Sequence, residues 1–193
     1  MSTLLPLCRL ALLAGLLSLS ACQPATPPAS APVGSDFRLQ TSQGGQRVEL
    51  DSRQLRGQVL LLFFGYTHCP DVCPAAMAVG AQALKLLGDA ERQRVQLILI
   101  SVDPERDTPE KLATYSAYFH PAMRGASGSP EAIAALARAF GAGYVRQPPR
   151  PDGSYVIDHT ASIYLVGPDG RLQQVLDPGS DAEAVAAAVR KWL

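Results

Sequence analysis

The chain has 193 residues, and its 17 lysines and arginines balance its 17 aspartates and glutamates to a formal net charge of +0. A balance near zero leaves no electrostatic footprint for binding nucleic acid or anionic lipid headgroups. About 160 residues remain beyond the apolar N-terminal segment, enough for one domain with a real core. No internal repeat or second domain boundary interrupts them, so a single domain is predicted.

The N-terminal residues have the pattern of an export signal. Leu10 to Leu19 is almost wholly apolar, only Arg9 carries positive charge before it, and the run ends in LSAC. Such a core followed by small residues is typical of a secretory signal and is too short to span a bilayer comfortably. LSAC also resembles a lipobox, the bacterial motif whose cysteine is lipidated. A signal peptide over residues 1–21 and a lipid on Cys22 are therefore predicted, with an ordinary signal peptide cleaved nearby as the alternative.

Residues 22–34 are rich in Pro, Ala and Ser, which predicts an extended tether, so the folded domain is expected at residues 35–193. Within it, a Gly-Gly pair in the loop TSQGGQ indicates a β-hairpin. The apolar runs QVLLLFF and VQLILISV lack polar alternation, which favours central strands buried on both faces. In chain order, the predicted elements are strands at 37–39, 47–50 and 58–64, a helix at 74–87, a strand at 95–102, helices at 108–118 and 131–140, strands at 144–146, 162–166 and 172–176, and a helix at 181–192.

This order of elements predicts an α/β fold. Long buried strands joined by helices imply a parallel core. The turn GPDG at 167–170 adds a late antiparallel hairpin. A thioredoxin-like sandwich with an N-terminal β-hairpin and an additional hairpin insertion, in a single domain, is the predicted architecture.

Cysteine usage is the sharpest functional signal in the sequence. Cys8 and Cys22 precede the domain, which keeps only Cys69 and Cys73. A disulfide between them would close too small a loop to be a good structural staple. The pair lies where a buried strand ends and a helix begins, a place where ligands bind and thiol pKa values fall. Because four positions are about one helical turn, both sulfurs should share one face, suited to a disulfide or to a soft metal ion.

Three histidines are candidate partners for the cysteines. His68 is adjacent to Cys69, so its side chain is expected to point elsewhere, and His120 follows a helix and is expected at the surface or as a local cap. His159 precedes the strand at 162–166, and in a thioredoxin-like sheet that loop returns beside the cysteines. From position alone, His159 is either a ligand or a structural hydrogen-bonding group.

Three blocks together resemble the Sco/SenC (PrrC-like) family of thioredoxin-fold, copper-binding assembly factors for cytochrome c oxidase. The blocks are GYTHCPDVCP at 65–74, SVDPERDTP at 101–109 and DHTASIYLV at 158–166. They occur in order across essentially the whole domain. The resemblance implies that Cys69, Cys73 and His159 bind copper, as Cu(I) or Cu(II), and that the cysteines also form a redox pair. Two thiolates and an imidazole are a soft set suited to Cu(I), whereas a closed structural zinc site would need a fourth ligand.

The same resemblance places the acidic motif of the family on Asp103 and Asp107. Partner docking or additional metal ligation is one interpretation of this pair. A local structural role is the other, because acidic residues suit the start of a helix. Asp158 is a candidate hydrogen-bond acceptor that orients the neighbouring His159, or a cap at the start of its loop.

The resemblance implies a copper chaperone that helps to metallate the binuclear copper site of cytochrome c oxidase subunit II or another copper protein. Nothing in the sequence demands more than a monomer. It would face the periplasm of a Gram-negative bacterium from a lipid anchor, supplied by a copper donor or a thiol reductant. Family members commonly have a transmembrane anchor, so a lipid anchor would be a departure. Two alternatives remain: a thiol-disulfide reductase that needs the thiols but not His159, and a copper or redox sensor.

Overall fold

The structure, a computed structural model, describes residues 34–193; the predicted signal peptide, the predicted lipidation site at Cys22 and all of the predicted tether before Gly34 lie outside the described residues. Among residues 34–193, no helix is both long and apolar enough to cross a membrane. The strands are β1 (Arg38–Gln43), β2 (Gln46–Asp51), β3 (Val59–Gly65), β4 (Val95–Ser101), β5 (Met123–Ser127), β6 (Tyr144–Arg146), β7 (Ile157–His159), β8 (Ile163–Val166) and β9 (Leu172–Leu176). The α-helices are α1 (Val72–Leu86), α2 (Asp89–Arg92), α3 (Pro109–Phe119), α4 (Pro130–Phe140) and α5 (Ala182–Arg190), and a 3-10 turn covers Ser52–Leu55.

Seven strands form one mixed sheet in the order β2-β1-β5-β4-β3-β8-β9. Its centre is parallel, with β4 between β3 and β5. β1 and β8 run antiparallel to β5 and β3 on either side of that centre. The predicted hairpins are confirmed as β1–β2 and β8–β9. With α1 packed against α5, and α3 over β1 and β5, the sheet forms the predicted α/β fold.

The continuous apolar runs of the sequence become the core strands. All seven residues of β3 are buried, and in β4 only Gln96 is partly exposed. A strand at the centre of a helix-covered sheet has both faces shielded from water, so it needs apolar residues at every position rather than at alternate ones. Two helices also begin with side-chain caps, because Thr108 and Ser129 accept hydrogen bonds from the backbone N–H three residues on.

The strand prediction is incomplete in two places. The sequence predicts no strand at Met123–Ser127, yet these residues form β5 between β4 and β1. Its sequence, MRGAS, is poor in the β-branched and aromatic residues that favour strands, and its neighbours decide its conformation. Tyr144–Arg146 is a strand as predicted, but it pairs with β7 in a separate two-stranded sheet. We call residues 144–159, which include this pair, the histidine hairpin.

Candidate metal centre

The two cysteines lie at the carboxyl end of the central strand β3. This strand ends at Gly65, and Cys69 lies in the loop that follows, where its N–H donates to the Tyr66 carbonyl at 3.3 Å. α1 begins at Val72, two residues earlier than the prediction, so Cys73 is in its first turn but Cys69 precedes it. Both are free thiols. Cys73 is fully buried, whereas 8% of Cys69 is exposed, so Cys69 is the outer sulfur.

Gly65 leaves room for the inner sulfur. A Cβ added at Gly65 would lie 2.8 Å from Cys73 Sγ and 2.8 Å from the ring of Phe63. Both distances are too short for real carbon contacts. A glycine at the end of a strand often marks a place where another group approaches the backbone closely. Here that group is the Cys73 sulfur.

His159 reaches the cysteines from the end of β7. Its Nε2 lies 3.2 Å from Cys73 Sγ and 3.8 Å from Cys69 Sγ. The ring is held edge-on to Phe63 and Tyr66, each with a centroid distance of 5.8 Å. Its Nδ1 lies 3.1 Å from the carbonyl oxygen of Thr160. Because a carbonyl only accepts, Nδ1 carries the proton in this contact, which leaves the Nε2 lone pair directed at the sulfurs.

The three side chains present a convergent donor set. One donor atom from each of Cys69, Cys73 and His159 lies within 4.8 Å of the other two. Two sulfurs and one imidazole nitrogen are soft and intermediate ligands, and three such donors suit Cu(I). A tetrahedral structural zinc site requires four ligands, and this set supplies three. The chemistry of the donors therefore fits copper better than zinc.

Burial determines the protonation of Cys73 and His159. Desolvation raises the pKa of the Cys73 thiol far above its ordinary range, so the metal-free side chain is a neutral thiol. Desolvation also lowers the pKa of His159 below its ordinary value of 6.5, so the imidazole is neutral at pH 7. A soft metal ion replaces the thiol proton and accepts the imidazole as it stands. Metal binding at this site therefore releases protons.

The acidic residues of the sequence motif lie near the site but are engaged elsewhere. Asp103 and Asp107 are buried, with 3% and 1% of their surface exposed. Asp107 accepts from Thr67 and Ser101, and Asp103 accepts from Arg106 and from the Tyr155 hydroxyl. Buried carboxylates with internal donors are not presented to a partner surface. The predicted interpretation as docking residues therefore loses its support.

Asp158 does not hydrogen-bond to His159. Its Oδ2 accepts from Gln147 Nε2 at 2.5 Å, on the exposed side of the hairpin. The Thr160 carbonyl, and not the predicted Asp158 carboxylate, accepts the hydrogen bond from the imidazole Nδ1–H. Asp158 therefore makes a contact within the histidine hairpin, and a backbone carbonyl orients His159.

The other histidines behave as their positions predict. His68 is half-exposed, and its Nδ1 lies 3.1 Å from Thr67 Oγ1, away from the sulfurs. His120 follows α3, where its Nδ1 accepts from the Ala122 N–H at 3.1 Å. His68 also forms a second His/Asp group with the two buried aspartates, whose carboxylates have internal donors. The cysteine group, by contrast, offers two sulfurs and an imidazole, the soft donors that suit Cu(I).

Four residues around the site were not singled out for function. Tyr66 packs on His159, whereas Thr67, Arg106 and Tyr155 bind Asp103 or Asp107. Arg106 lies between the two aspartates of the acidic motif, so the sequence itself indicates that it could pair with one of them. Tyr155 has no such signal, because its partners lie about 50 positions away along the chain. Contacts of this kind become visible only in the fold.

Comparison with known proteins gives relatives for both sequence and structure. The SCO1/SenC family model matches residues 25–193. Protein SCO2 homolog, mitochondrial, of Bos taurus is 39% identical over 159 residues, which are 82% of this chain and 59% of that protein. The match thus spans less than two thirds of the length of this curated relative.

Two solved structures extend the comparison. The structure of Bradyrhizobium japonicum ScoI with copper bound has a TM-score of 0.73 and 39% identity, covering 83% of this chain and 99% of that one. BsSco, described with a disulfide switch as a member of the Sco family of cytochrome c oxidase assembly proteins, has a TM-score of 0.61 and 29% identity, covering 84% and 94%. The family match spans most of the chain, and the fold agrees with it. The chain therefore belongs to the SCO1/SenC family.

Proposed function

We propose that the protein binds one copper ion through Cys69, Cys73 and His159 and helps to metallate the binuclear copper site of cytochrome c oxidase subunit II or another copper protein. The observation that carries this proposal is the approach of His159 Nε2 to both sulfurs, at 3.2 and 3.8 Å. The copper-bound state of the similar ScoI and the assembly role stated for the family of BsSco support it.

A chaperone must release its metal as well as bind it, and the site has an open side. A cavity of about 380 Å³ is lined by Cys69 and His159 but not by Cys73. An incoming ligand from a partner can therefore reach the copper from the side of the outer sulfur and the imidazole. Cys73, which is fully buried, is the ligand furthest from exchange.

A thiol-disulfide reductase is the second candidate, and the unequal burial of the cysteines favours it. The Cys69 thiolate would attack a disulfide of the target and form a mixed disulfide, and Cys73 would then resolve it. The products are a reduced target and a Cys69–Cys73 disulfide, so a periplasmic thiol reductant must restore the pair. This mechanism does not use His159 as a ligand.

Anchoring at a membrane is part of the proposal and rests on the sequence LSAC. We propose a lipid on Cys22 that holds the domain in the periplasm of a Gram-negative bacterium, as a monomer. Cys22→Ser should abolish the incorporation of a labelled fatty acid into the protein. Incorporation at the wild-type level would contradict lipidation of this residue.

A Cu(I) competition titration separates the two candidates. The reduced protein is titrated anaerobically against a chromophoric Cu(I) chelator, as wild type, His159→Ala and the matched control His68→Ala. We expect one tightly bound copper per chain, and affinity lowered at least about tenfold by His159→Ala, since even partners of metal ligands contribute about 10- to 100-fold. His68→Ala should bind as wild type does. Equal affinity for wild type and His159→Ala would contradict the copper site.

The same variant separates the candidates in cells. Copper delivery requires the imidazole, so cells that carry His159→Ala should assemble less active oxidase. A reductase needs only the thiols, so full oxidase activity with intact Cys69 and Cys73 would favour reduction over delivery. Cys73→Ser, which disables both functions, gives the lower limit for the measurement.

A further inference from the structure

One short turn contacts both the loop that carries Cys69 and the histidine hairpin. Residues 103–107 follow β4, and Asp107 N–H donates to the Asp103 carbonyl at 3.0 Å to close the turn. The Asp103 N–H donates to Ser101 Oγ at 3.0 Å, and that hydroxyl donates to Asp107 at 2.7 Å. We call residues 103–107 the acidic turn. Its two carboxylates lie at the end of the central strand, and each extends to a different segment.

The first arm of the acidic turn holds the cysteine loop. Asp107 accepts two hydrogen bonds from Thr67, one from the backbone N–H at 2.9 Å and one from the hydroxyl at 2.5 Å. Thr67 is two residues before Cys69. A buried carboxylate with a backbone and a hydroxyl donor forms strong, charge-assisted hydrogen bonds. The start of the cysteine loop is therefore attached to the acidic turn.

The second arm holds the histidine hairpin. Asp103 accepts from the Tyr155 hydroxyl at 2.8 Å and forms an ion pair with Arg106. Arg106 donates to the Tyr155 carbonyl at 3.1 Å, and its guanidinium lies 3.6 Å from the centre of the Tyr155 ring. The guanidinium of Arg146 also lies 3.7 Å from the centre of the Tyr155 ring. The ring is thus bound by two cations, four residues before His159.

The histidine hairpin depends on such contacts for its position. Within the part of the chain that the structure describes, β6 and β7 pair only with each other and share no ladder with the seven-stranded sheet. The Tyr66 hydroxyl, which accepts from the Ile157 N–H at 3.1 Å, supplies one further link to the cysteine side. Side chains therefore set the location of His159 relative to the sulfurs, and the acidic turn contributes the charged ones.

We propose that the acidic turn positions the metal ligands, holding the cysteine loop through Asp107 and the histidine hairpin through Asp103 and Arg106. Asp103 and Asp107 are then positioning residues, and neither one binds copper or a partner. This inference rests on the proposed copper function of the same site. It assigns to the acidic motif a task that its buried, internally bonded carboxylates can perform.

Hydrogen–deuterium exchange tests the two arms without copper. In the reduced, metal-free full chain, Tyr155→Phe removes only the hydroxyl that donates to Asp103. We expect faster exchange in peptides from 144–160 and unchanged exchange in peptides from 66–73. Thr67→Val should give the opposite pattern. The matched controls are Tyr118→Phe, at a residue 86% exposed, and Thr114→Val on the surface of α3.

The exchange pattern distinguishes positioning from general stability. A loss of general stability accelerates exchange in the hairpin, the cysteine loop and the central strands together. Acceleration confined to one arm supports the proposal. Unchanged exchange in both arms, or equal acceleration of both by either variant, would overturn it. Tyr155→Phe and Thr67→Val are isosteric changes in different segments. If one of the two variants fails to fold, the other still tests the proposal.

A double-mutant cycle links each arm to its own ligand. Tyr155→Phe should weaken Cu(I) binding about tenfold, within the range for partners of metal ligands. In a His159→Ala background the same change should have almost no further effect, because the ligand it positions is absent. Thr67→Val acts through the cysteines, so it should still weaken binding there. An equal effect of Tyr155→Phe in both backgrounds would refute positioning through the histidine.

The cycle also separates failure of this inference from failure of the proposed function. If His159→Ala leaves the Cu(I) affinity unchanged, the copper site itself is wrong. If His159→Ala weakens binding but Tyr155→Phe does not, the copper site stands and the positioning role is refuted. The exchange experiment contains no metal, so its result does not depend on the outcome of the Cu(I) titrations.

Discussion

His159 shows how a single residue is prepared for metal binding. Packing against two aromatic rings fixes its plane, and the Thr160 carbonyl accepts a hydrogen bond from its Nδ1–H. A ligating histidine typically donates its other N–H to a carboxylate, a carbonyl or water, which fixes the tautomer. Here the Thr160 backbone carbonyl fixes the tautomer, so no carboxylate is needed beside the imidazole.

The convergence of the three candidate ligands could be predicted from the sequence, but their surroundings could not. Cys69 and Cys73 are recognisable because they are the cysteines left in the domain, and His159 because the DHTAS block follows in the expected order. The contact between Arg106 and Tyr155 joins residues 49 positions apart. Such a contact has no spacing rule, since it depends on how two loops meet in the folded chain.

His120 makes a pH dependence testable at the same scale. Burial lowers the pKa of His120 below its ordinary value of 6.5, and its Nδ1 must stay unprotonated to accept from the Ala122 N–H. The unfolded chain therefore binds a proton at higher pH than the folded chain does. The free energy of unfolding should fall as the pH drops below about 6.5.

Denaturant titrations of the reduced, metal-free protein between pH 7.5 and about 5 measure this slope. His120→Ala should make the fall less steep, because one proton-linked group is removed. Burial also lowers the pKa of His159, so part of the pH dependence should remain in the His120→Ala variant. An unchanged slope in His120→Ala would show that His120 does not contribute.

At the scale of elements, β5 shows where local sequence preference ends. MRGAS has little preference for a strand, but it completes the sheet between β4 and β1. The helices and the long apolar strands were predictable because their apolar pattern and N-caps are local. The position of β5 is decided by its partners, and the same holds for β6, which pairs with β7 rather than with the central sheet.

Gly125 sets the distance between α3 and β5, and its substitution gives a sharp prediction. A Cβ added at Gly125 would lie 2.5 Å from Leu112 Cβ and 2.8 Å from the Leu112 backbone carbonyl. The backbone of a helix cannot move aside as a flexible side chain can. Gly125→Ala should therefore lower the free energy of unfolding by about 1–3 kcal/mol, the usual cost of overpacking.

Chemical denaturation compares this variant with Gly143→Ala, whose added Cβ would have its nearest neighbour at 3.8 Å. The control should stay within about 0.5 kcal/mol of wild type, as surface changes usually do. A Gly125→Ala protein as stable as wild type would mean that α3 can shift away from the sheet at no cost.

At the scale of the whole molecule, the oxidation state of the cysteines and copper binding should control stability together. A ligand that binds only the folded protein stabilises it by about 2.7 kcal/mol at a concentration 100 times its dissociation constant. Buffered Cu(I) should therefore raise the thermal midpoint of the reduced protein. An oxidised pair offers no thiolates, so the oxidised protein should gain nothing from Cu(I).

Anaerobic thermal unfolding with increasing free Cu(I) checks this on reduced and on verifiably oxidised protein. Cys73→Ser is the matched control, because it has lost one sulfur and cannot form the intramolecular disulfide. It should show a much smaller rise than the reduced wild type. A rise of equal size in the oxidised protein would show that copper binds outside the cysteine pair.

The wide separation of the ligands along the chain has a consequence for biosynthesis. Cys73 precedes His159 by 86 positions, so at a synthesis rate of about 5–20 residues per second the sulfurs exist for roughly 4–17 s before the imidazole is made. During that interval a nascent chain presents two thiols without their third partner. The complete donor set appears only when nearly the whole domain has been synthesised and has folded. Under the proposed copper function, we therefore expect copper to be loaded only after nearly the whole domain has been synthesised.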